Sequence, residues 1–183
     1  MSDTSKIKEL LEEAWNQRRV GNYTKARELV EHTEQRAEND DYDSLGRIFH
    51  VYAQFQSDHD DLPNALELYK QSLEFHKKAK KPDKIAHPTR HIADNQRGLG
   101  QDENSEKDYR EAIGIYGANP QTYTGDPANA LRGFALVLES RDKIPEAIAG
   151  WKKTKKLYRE CNLQIGVDET QRKLDNLAAK GHH

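Results

Sequence analysis

The stretch Leu62-Pro-Asn-Ala65-Leu-Glu-Leu-Tyr69-Lys-Gln-Ser72 contains a spacing of small and large residues that recurs along the chain. The small Ala65 is followed four residues later by the large Tyr69, and three residues after that by the small Ser72. These offsets place all three side chains on one face of a helix. Pro63 stands two residues before Ala65, in the first turn, where a helix tolerates proline. The stretch therefore predicts a helix with one narrow packing face.

This spacing occurs four times. The first small residues of the copies lie 39, 40 and 42 residues apart, and a further small residue stands twelve positions before each of them. Each copy therefore predicts a hairpin of two closely packed helices, and such hairpins bury their narrow apolar faces by stacking on one another. The first small residues are Ala26, Ala65, Ser105 and Ala147, the large residues are Val30, Tyr69, Tyr109 and Trp151, and the upstream small residues are Ala14, Ala53, Ala93 and Ala135.

The composition agrees with thin helical layers. Hydrophobic residues make up 34% of the 183 residues and charged residues 33%, whereas globular domains are usually about 45–50% apolar. The net charge of -2 offers no electrostatic basis for a nucleic-acid binder. Cys161 is the single cysteine, which excludes an intrachain disulfide and a cysteine-based zinc site.

No stretch of the sequence predicts a membrane span or an export signal. The longest uninterrupted apolar run is 134–138, and the N-terminal residues are polar. We therefore expect a cytoplasmic protein without membrane partners. Residues 181–183 (Gly-His-His) are interpreted as a purification-tag remnant and are left out of the site reasoning.

The repeat resembles the tetratricopeptide repeat (TPR) family over nearly the whole chain. The resemblance rests on the small positions, on Tyr69, Tyr109 and Trp151, and on the turn Gly21-Asn-Tyr23, a glycine turn that we find in the first copy alone. The spacing is longer than the usual TPR repeat, as in the longer-repeat branch, and residues 126–132 are similar to a segment of uncharacterised bacterial TPR proteins. The resemblance implies an all-α fold, a TPR-like right-handed α-solenoid of four helix hairpins plus a C-terminal capping helix.

The chain is expected to form one TPR-like domain over 1–180. Pro88 predicts either a late start of the third hairpin near His87 or a kink in its first helix. The four repeat hairpins are expected at about 5–40, 43–81, 83–118 and 124–160, with the cap at 163–179. First helices are expected at about 5–20, 43–57, 83–98 and 126–140, second helices at about 23–38, 62–79, 103–116 and 144–160, and the last helix at about 165–179.

The first helices of stacked hairpins line the concave side, and counting from the small packing residues identifies sixteen inward positions. Six of them are Lys or Arg and two are acidic. A concave basic surface attracts anionic ligands, and arginine can hold a carboxylate with two parallel hydrogen bonds. The candidate ligand-binding residues are Lys8, Trp15, Arg18, Arg47, His50, Gln54, His87, Arg90, Asp94, Arg97, Asn129 and Arg132.

These positions predict a protein-interaction scaffold that binds an acidic or carboxylate-terminated peptide segment in a basic concave groove. Some TPR domains hold a peptide's C-terminal carboxylate with a groove of Lys, Asn and Arg. This chain lacks the Lys/Asn spacing of that clamp in its first hairpin, so the peptide specificity of those domains is not assigned to it. One alternative is a sensor of a small anion between the third and fourth hairpins, covered by the long loop 117–125. Another is a self-assembling module, and the sequence does not indicate the oligomeric state.

Two candidate groups have simpler structural explanations. Arg90, Asp94 and Arg97 have the spacing of an intrahelical salt-bridge ladder. Trp15 is expected either to line the groove or to pack on the neighbouring hairpin, whereas Trp151 is expected in the core because it occupies the position of Tyr69 and Tyr109.

No enzyme, cofactor or metal site is predicted. His87, His91 and Asp94, with His50, have a spacing that could supply metal ligands. Against this, His91 is expected to turn partly toward the partner helix of its hairpin, and Arg90 between the histidines repels cations. The sequence also contains no glycine-rich phosphate loop and no nucleophile motif of the hydrolase type.

Overall fold

The computed structural model describes residues 3–119 and 125–180, and these residues form nine α-helices and no strand. The central part of the predicted loop 117–125, which is 120–124, and the interpreted tag remnant 181–183 lie outside the described residues. The all-α prediction is confirmed. The helices are α1 (Asp3–Arg19), α2 (Tyr23–Glu34), α3 (Tyr42–Asp58), α4 (Leu62–Lys78), α5 (Ala86–Gly98), α6 (Asp102–Ala118), α7 (Gly125–Ser140), α8 (Ile144–Glu160) and α9 (Gln164–Lys180).

The helix starts follow from local sequence. Asp41 and Asp61 accept hydrogen bonds from the backbone N–H groups of Ser44 and Asn64, which caps α3 and α4. Pro63 lies in the first turn of α4, as expected. The main departure is α2, which ends at Glu34 rather than near residue 38.

Each hairpin turn contains a residue in the left-handed region, two positions after the first helix ends. In the first hairpin this residue is Gly21, with φ 81°, and in the third it is Gly100, with φ 72°. The interpretation of a glycine turn in the first hairpin alone is therefore wrong. Asp60 and Asp142 occupy the equivalent positions with φ 58° and 56°, since a short polar side chain tolerates this conformation better than most residues.

Pro88 marks a late helix start. A 3-10 turn over Pro82–Lys84 precedes α5, and α5 begins at Ala86, three residues after the expected boundary at 83. Pro88 is thus the third residue of the helix, where its missing N–H has no helical partner to lose. The late-start alternative is confirmed, and it places His87 in the first turn of α5.

All twelve predicted packing positions next to the hairpin axes are inaccessible to solvent. Each repeat contributes three such positions: the small residue of its first helix, and two small residues seven positions apart in its second helix. All of them are 0% exposed. Small buried residues allow the helix axes to approach closely, so these positions define the hairpins. They are Ala14, Ala53, Ala93 and Ala135, then Ala26, Ala65, Ser105 and Ala147, and finally Thr33, Ser72, Ala112 and Thr154.

The chain divides into two compact units, Met1–Asn95 and Gln96–His183. In the first, α1, α2 and α3 share a core that includes Ile7, Val30 and Ile48. In the second, Leu177 of α9 packs with Trp151 and Ala135. The final helix therefore covers apolar surface of the hairpin before it, as a capping helix does. None of the helices in the two described stretches is both long and apolar enough to cross a membrane.

Candidate functional site

The first unit, Met1–Asn95, contains a pocket of about 420 Å³ that is lined by four helices and one turn. Helices α1 and α3 contribute both apolar and polar groups, and α4 contributes a histidine. The 3-10 turn and the first turn of α5 close one side. The lining residues are Leu11, Glu12, Trp15, Arg47, His50, Val51, Gln54, His76, Asp83, Lys84, His87 and Pro88.

Five of the twelve candidate ligand-binding residues line this pocket: Trp15, Arg47, His50, Gln54 and His87. They come from the first helices of three successive hairpins, which is the face that counting from the small residues selects. Periodicity was sufficient to find them because α1, α3 and α5 each turn the same face toward the pocket.

Arg47 is the cation of the pocket that has no compensating acid. Its side chain is half-buried, and no ion-pair or hydrogen-bond partner for it occurs among the residues that the structure describes. Lys84, by contrast, donates to both carboxylate oxygens of Asp43 at 2.7 Å. Burial alone would raise the pKa of Asp43, but the hydrogen bond and the charge of Lys84, together with the charges of His76 and Lys81, hold the pKa below its ordinary value. Arg47 is therefore available to an incoming anion.

Two other candidates in the first unit are engaged or lie outside the pocket. Arg18 donates to both oxygens of Asp58, at 2.6 and 2.8 Å, and to the side-chain oxygen of Gln54 at 3.2 Å. Lys8 is exposed and stands 3.9 Å from Glu12. Sequence periodicity does not identify Asp58 as the partner of Arg18, because the two residues are 40 positions apart.

Trp15 lines the pocket, which is one of the two positions expected for it. Its side chain is 42% exposed, and the guanidinium carbon of Arg19 lies 4.6 Å from its ring centroid. An exposed indole at the mouth of a pocket provides a flat apolar surface for a ligand side chain.

Three histidine rings meet behind this pocket. The ring centroid of His50 lies 4.8 Å from that of His87 and 5.0 Å from that of His91, and the rings of His87 and His91 are 4.9 Å apart. His91 also stacks on Tyr69 of α4 at 4.8 Å and 4°. Because α4 belongs to the preceding hairpin, this contact is not with α6, the partner helix toward which His91 was expected to turn. The spacing of His91 from His87 marked it as a possible metal ligand, but His91 is not among the twelve candidate ligand-binding residues.

The histidines of this cluster are uncharged at neutral pH. Burial, followed by repulsion from Arg90, lowers the pKa of His87 to about 3. Burial is also the main cause that lowers the pKa of His50 and His91 well below the ordinary value, with neighbouring His87 and Arg90 adding to it.

Arg90 and Asp94 form the intrahelical ion pair that their spacing predicted as an alternative to a ligand site. Arg90 Nη1 donates to Asp94 Oδ2 at 2.6 Å, and Arg90 Nη2 stands 2.5 Å from His91 Nε2. The guanidinium is thus held between a carboxylate and an imidazole nitrogen. Its charge is largely compensated inside the helix.

The remaining candidates belong to the second unit. Arg97 is partly buried. Asn129 accepts a hydrogen bond from the hydroxyl of Tyr158 at 2.8 Å. Arg132 donates to both oxygens of Glu169 on α9, at distances of 2.6 to 3.0 Å. The forked arginine–carboxylate contact expected with a ligand is thus made with the chain's own capping helix.

The Arg132–Glu169 pair predicts a pH-dependent contribution to stability. The hydrogen bond from Arg132 lowers the pKa of Glu169 below its ordinary value of 4.5, although burial opposes this. A carboxylate with a lowered pKa stabilises the fold above its ordinary pKa, and this is lost as the pH falls below 4.5 through the folded-state pKa. We therefore expect Glu169→Gln to lower the Tm near pH 7 and to have no effect in strong acid.

Calorimetry of the two proteins at several pH values measures this difference. Glu160→Gln is the matched control, because its weaker and more exposed contact with Lys156 spans 3.8 Å. A difference between wild type and Glu169→Gln that stays constant into strong acid would contradict the assignment.

Comparison with known proteins identifies the fold. No family model matches the sequence, and no curated protein matches it. Among solved structures, apo RapI superposes with a TM-score of 0.80 at 13% identity, covering 93% of this chain and 62% of that protein. Nearly identical TPR-like repeats from Podospora anserina superpose with a TM-score of 0.68 at 14% identity, covering 99% of both chains. The chain has a TPR-like fold.

A third TPR-like structure is a Rap protein complexed with competence and sporulation factor. It superposes with a TM-score of 0.72 at 15% identity, and the match covers all of this chain and 50% of that protein. This chain therefore spans about half to two thirds of the lengths of the two Rap proteins. The TPR-like fold that the repeat spacing predicted is confirmed.

Proposed function

We propose that this TPR-like protein is a protein-interaction scaffold, and that the pocket of its first unit binds the C-terminal carboxylate of a partner's peptide segment. The observation that carries the proposal is Arg47, a half-buried cation in the pocket without an acidic partner in the described parts of the chain. A buried cation is stabilised by a matching anion. A peptide carboxylate supplies that charge.

The pocket favours a carboxylate terminus over a strongly acidic segment. Its lining includes two acids, Glu12 and Asp83, and Lys84 is already paired. One cation therefore remains for a ligand, whereas several adjacent acidic side chains would meet like charges.

The rest of the lining favours an apolar side chain beside the carboxylate. Leu11 and Val51 are buried core residues that reach the pocket, and Trp15 offers its exposed ring. The volume of about 420 Å³ lies within the range of about 300–1,000 Å³ typical of ligand pockets. A terminal residue with a large apolar side chain fits this chemistry.

The solved Rap complex supports the same general role. That protein has the same fold and is complexed with competence and sporulation factor, so the fold serves elsewhere as a binding platform. The proposal for this chain rests on its own pocket, since identity at 15% transfers no specificity.

The test uses two pools of random-sequence heptapeptides, one with a free C-terminal carboxylate and one amidated. We expect binding of the free-carboxylate pool, with leucine, methionine or phenylalanine enriched at the last position. Amidation and Arg47→Glu are each expected to weaken binding at least tenfold, because a charge-assisted hydrogen bond contributes about 1.5–3 kcal/mol.

Arg36→Glu is the matched control, since it makes the same charge change at an exposed position of the first unit outside the pocket. Its effect should stay within about twofold. Equal binding of the two pools, unchanged binding by Arg47→Glu, or no binding of either pool would overturn the proposal.

A further inference from the structure

The cluster of His50, His87 and His91 has the geometry of a metal-ligand set. Each ring offers one nitrogen, and the three nitrogens lie within 4.8 Å of one another. His87 and His91 are four residues apart on one face of α5, and His50 reaches the same point from α3. Two packed helices therefore fix all three ligands.

We propose that His50, His87 and His91 bind a divalent transition metal ion of the zinc type. Imidazole nitrogen suits Zn²⁺, Co²⁺, Ni²⁺ and Cu²⁺, whereas Mg²⁺ and Ca²⁺ require oxygen ligands. Zn–N bonds of about 2.0–2.1 Å place tetrahedral ligand nitrogens roughly 3.3 Å apart. Binding the ion thus requires the ligand nitrogens, which lie within 4.8 Å of one another, to move closer together by up to roughly 1.5 Å.

Three protein ligands leave the fourth position of a tetrahedral ion open. His50 and His87 also line the pocket of the first unit, so the cluster is adjacent to that pocket. A water molecule or a ligand group can occupy the open position.

Two arginines near the cluster are each paired with an acid, whereas Arg47, three residues before His50 on α3, has no acidic partner among the described residues. Arg18 is held by Asp58 and Arg90 by Asp94, both at 2.6 Å. Asp94 also lies 3.7 Å from Nδ1 of His91, close to where a carboxylate orients a metal-bound histidine.

Arg90 Nη2 stands against His91 Nε2, so this nitrogen already faces a positive group. Metal binding at this nitrogen displaces the guanidinium, which makes Arg90 a competitor of the ion. The ion is assigned to the three histidines and the peptide carboxylate to Arg47, so different variants test the two proposals.

The experiment titrates the full chain with Co²⁺ alone and then with Zn²⁺ as competitor, following visible absorption and calorimetric heat. Tetrahedral nitrogen coordination of Co²⁺ gives intense visible bands. We expect these bands to saturate at one ion per chain and to disappear on addition of Zn²⁺. His87→Asn and His50→Asn should each weaken binding at least tenfold, while Arg90→Met should tighten it.

His32→Asn is the matched control, because His32 is an exposed histidine of the same unit outside the cluster. The terminal His182 and His183 are present in every variant, so their contribution cancels. Circular dichroism checks that the variants remain helical, and Arg90→Met tests the site by a gain rather than a loss. Absence of a saturating band, equal effects of His32→Asn and His87→Asn, or weaker binding by Arg90→Met would overturn the assignment.

Discussion

Replacing Trp151 by alanine should lower the free energy of unfolding by about 3–5 kcal/mol, the range for removing a large buried aromatic side chain. Trp151 is 0% exposed and packs between Ala135 and Leu177. Its indole N–H also donates to Glu139 at 2.6 Å. The substitution therefore leaves both a cavity and a partly buried carboxylate without this donor.

The other tryptophan provides the comparison. Trp15 is 42% exposed, so Trp15→Ala removes little buried area and should cost about 1 kcal/mol or less. Urea unfolding followed by circular dichroism measures both losses on the same scale. Comparable losses from the two substitutions would contradict the assignment of Trp151 to the core and of Trp15 to the pocket.

The second large effect is expected at Gly133 on α7. In an exposed helix, alanine is about 1 kcal/mol more favourable than glycine. A Cβ at position 133, however, would overlap the phenol ring of Tyr109, which packs directly on the glycine backbone. Because Tyr109 is fully buried, a shift of its ring would disturb the packing around it, and we expect Gly133→Ala to destabilise the second unit by about 1–3 kcal/mol.

Gly114→Ala is the matched control in the same unit. A Cβ there has no atom within 4 Å, so the helix propensity of alanine should raise stability by up to about 1 kcal/mol. Opposite signs of the two stability changes would show that contact with the Tyr109 ring outweighs helix propensity at position 133.

A double-mutant cycle with Tyr109→Leu isolates the contact between positions 109 and 133. The cost of Gly133→Ala should fall when the ring is removed. A stabilising Gly133→Ala, or a cost unchanged by Tyr109→Leu, would show that the ring does not determine this position.

The hairpins could be predicted from sequence because their packing is periodic. A small residue at a regular offset permits close helix approach wherever it occurs, so Ala53 and Ala93 could be assigned to buried positions without coordinates. The late start of α5 was open to prediction for a similar local reason, since Pro88 restricts the residues before it.

The glycine–aromatic contacts had no such signal. Gly46, Gly133 and Gly166 each lie against a ring, those of His76, Tyr109 and Tyr158. Whether a glycine faces a ring or solvent depends on the axial offset between two helices, and a one-dimensional pattern does not contain that offset.

The candidate site likewise combines residues whose position the sequence predicts with ion pairs that it does not predict. Counting along first helices selected Arg47, His50 and His87, and these residues do line one pocket. The same count selected Arg18 and Arg132, but Asp58 and Glu169 neutralise them from 40 and 37 residues away. A face was predictable, whereas the partner of each charge on that face was not.

The sequence by itself determined the helices, the hairpins and the side of each helix that packs, because these follow from local propensity and from the helical period. Only the tertiary structure decided that Arg47 lacks an acidic partner within residues 3–119 and 125–180, that Arg132 has one, and that three imidazoles converge behind the pocket. Ion pairs and ligand clusters depend on distances of a few ångströms between helices that are distant in sequence, and these distances are set when the hairpins stack.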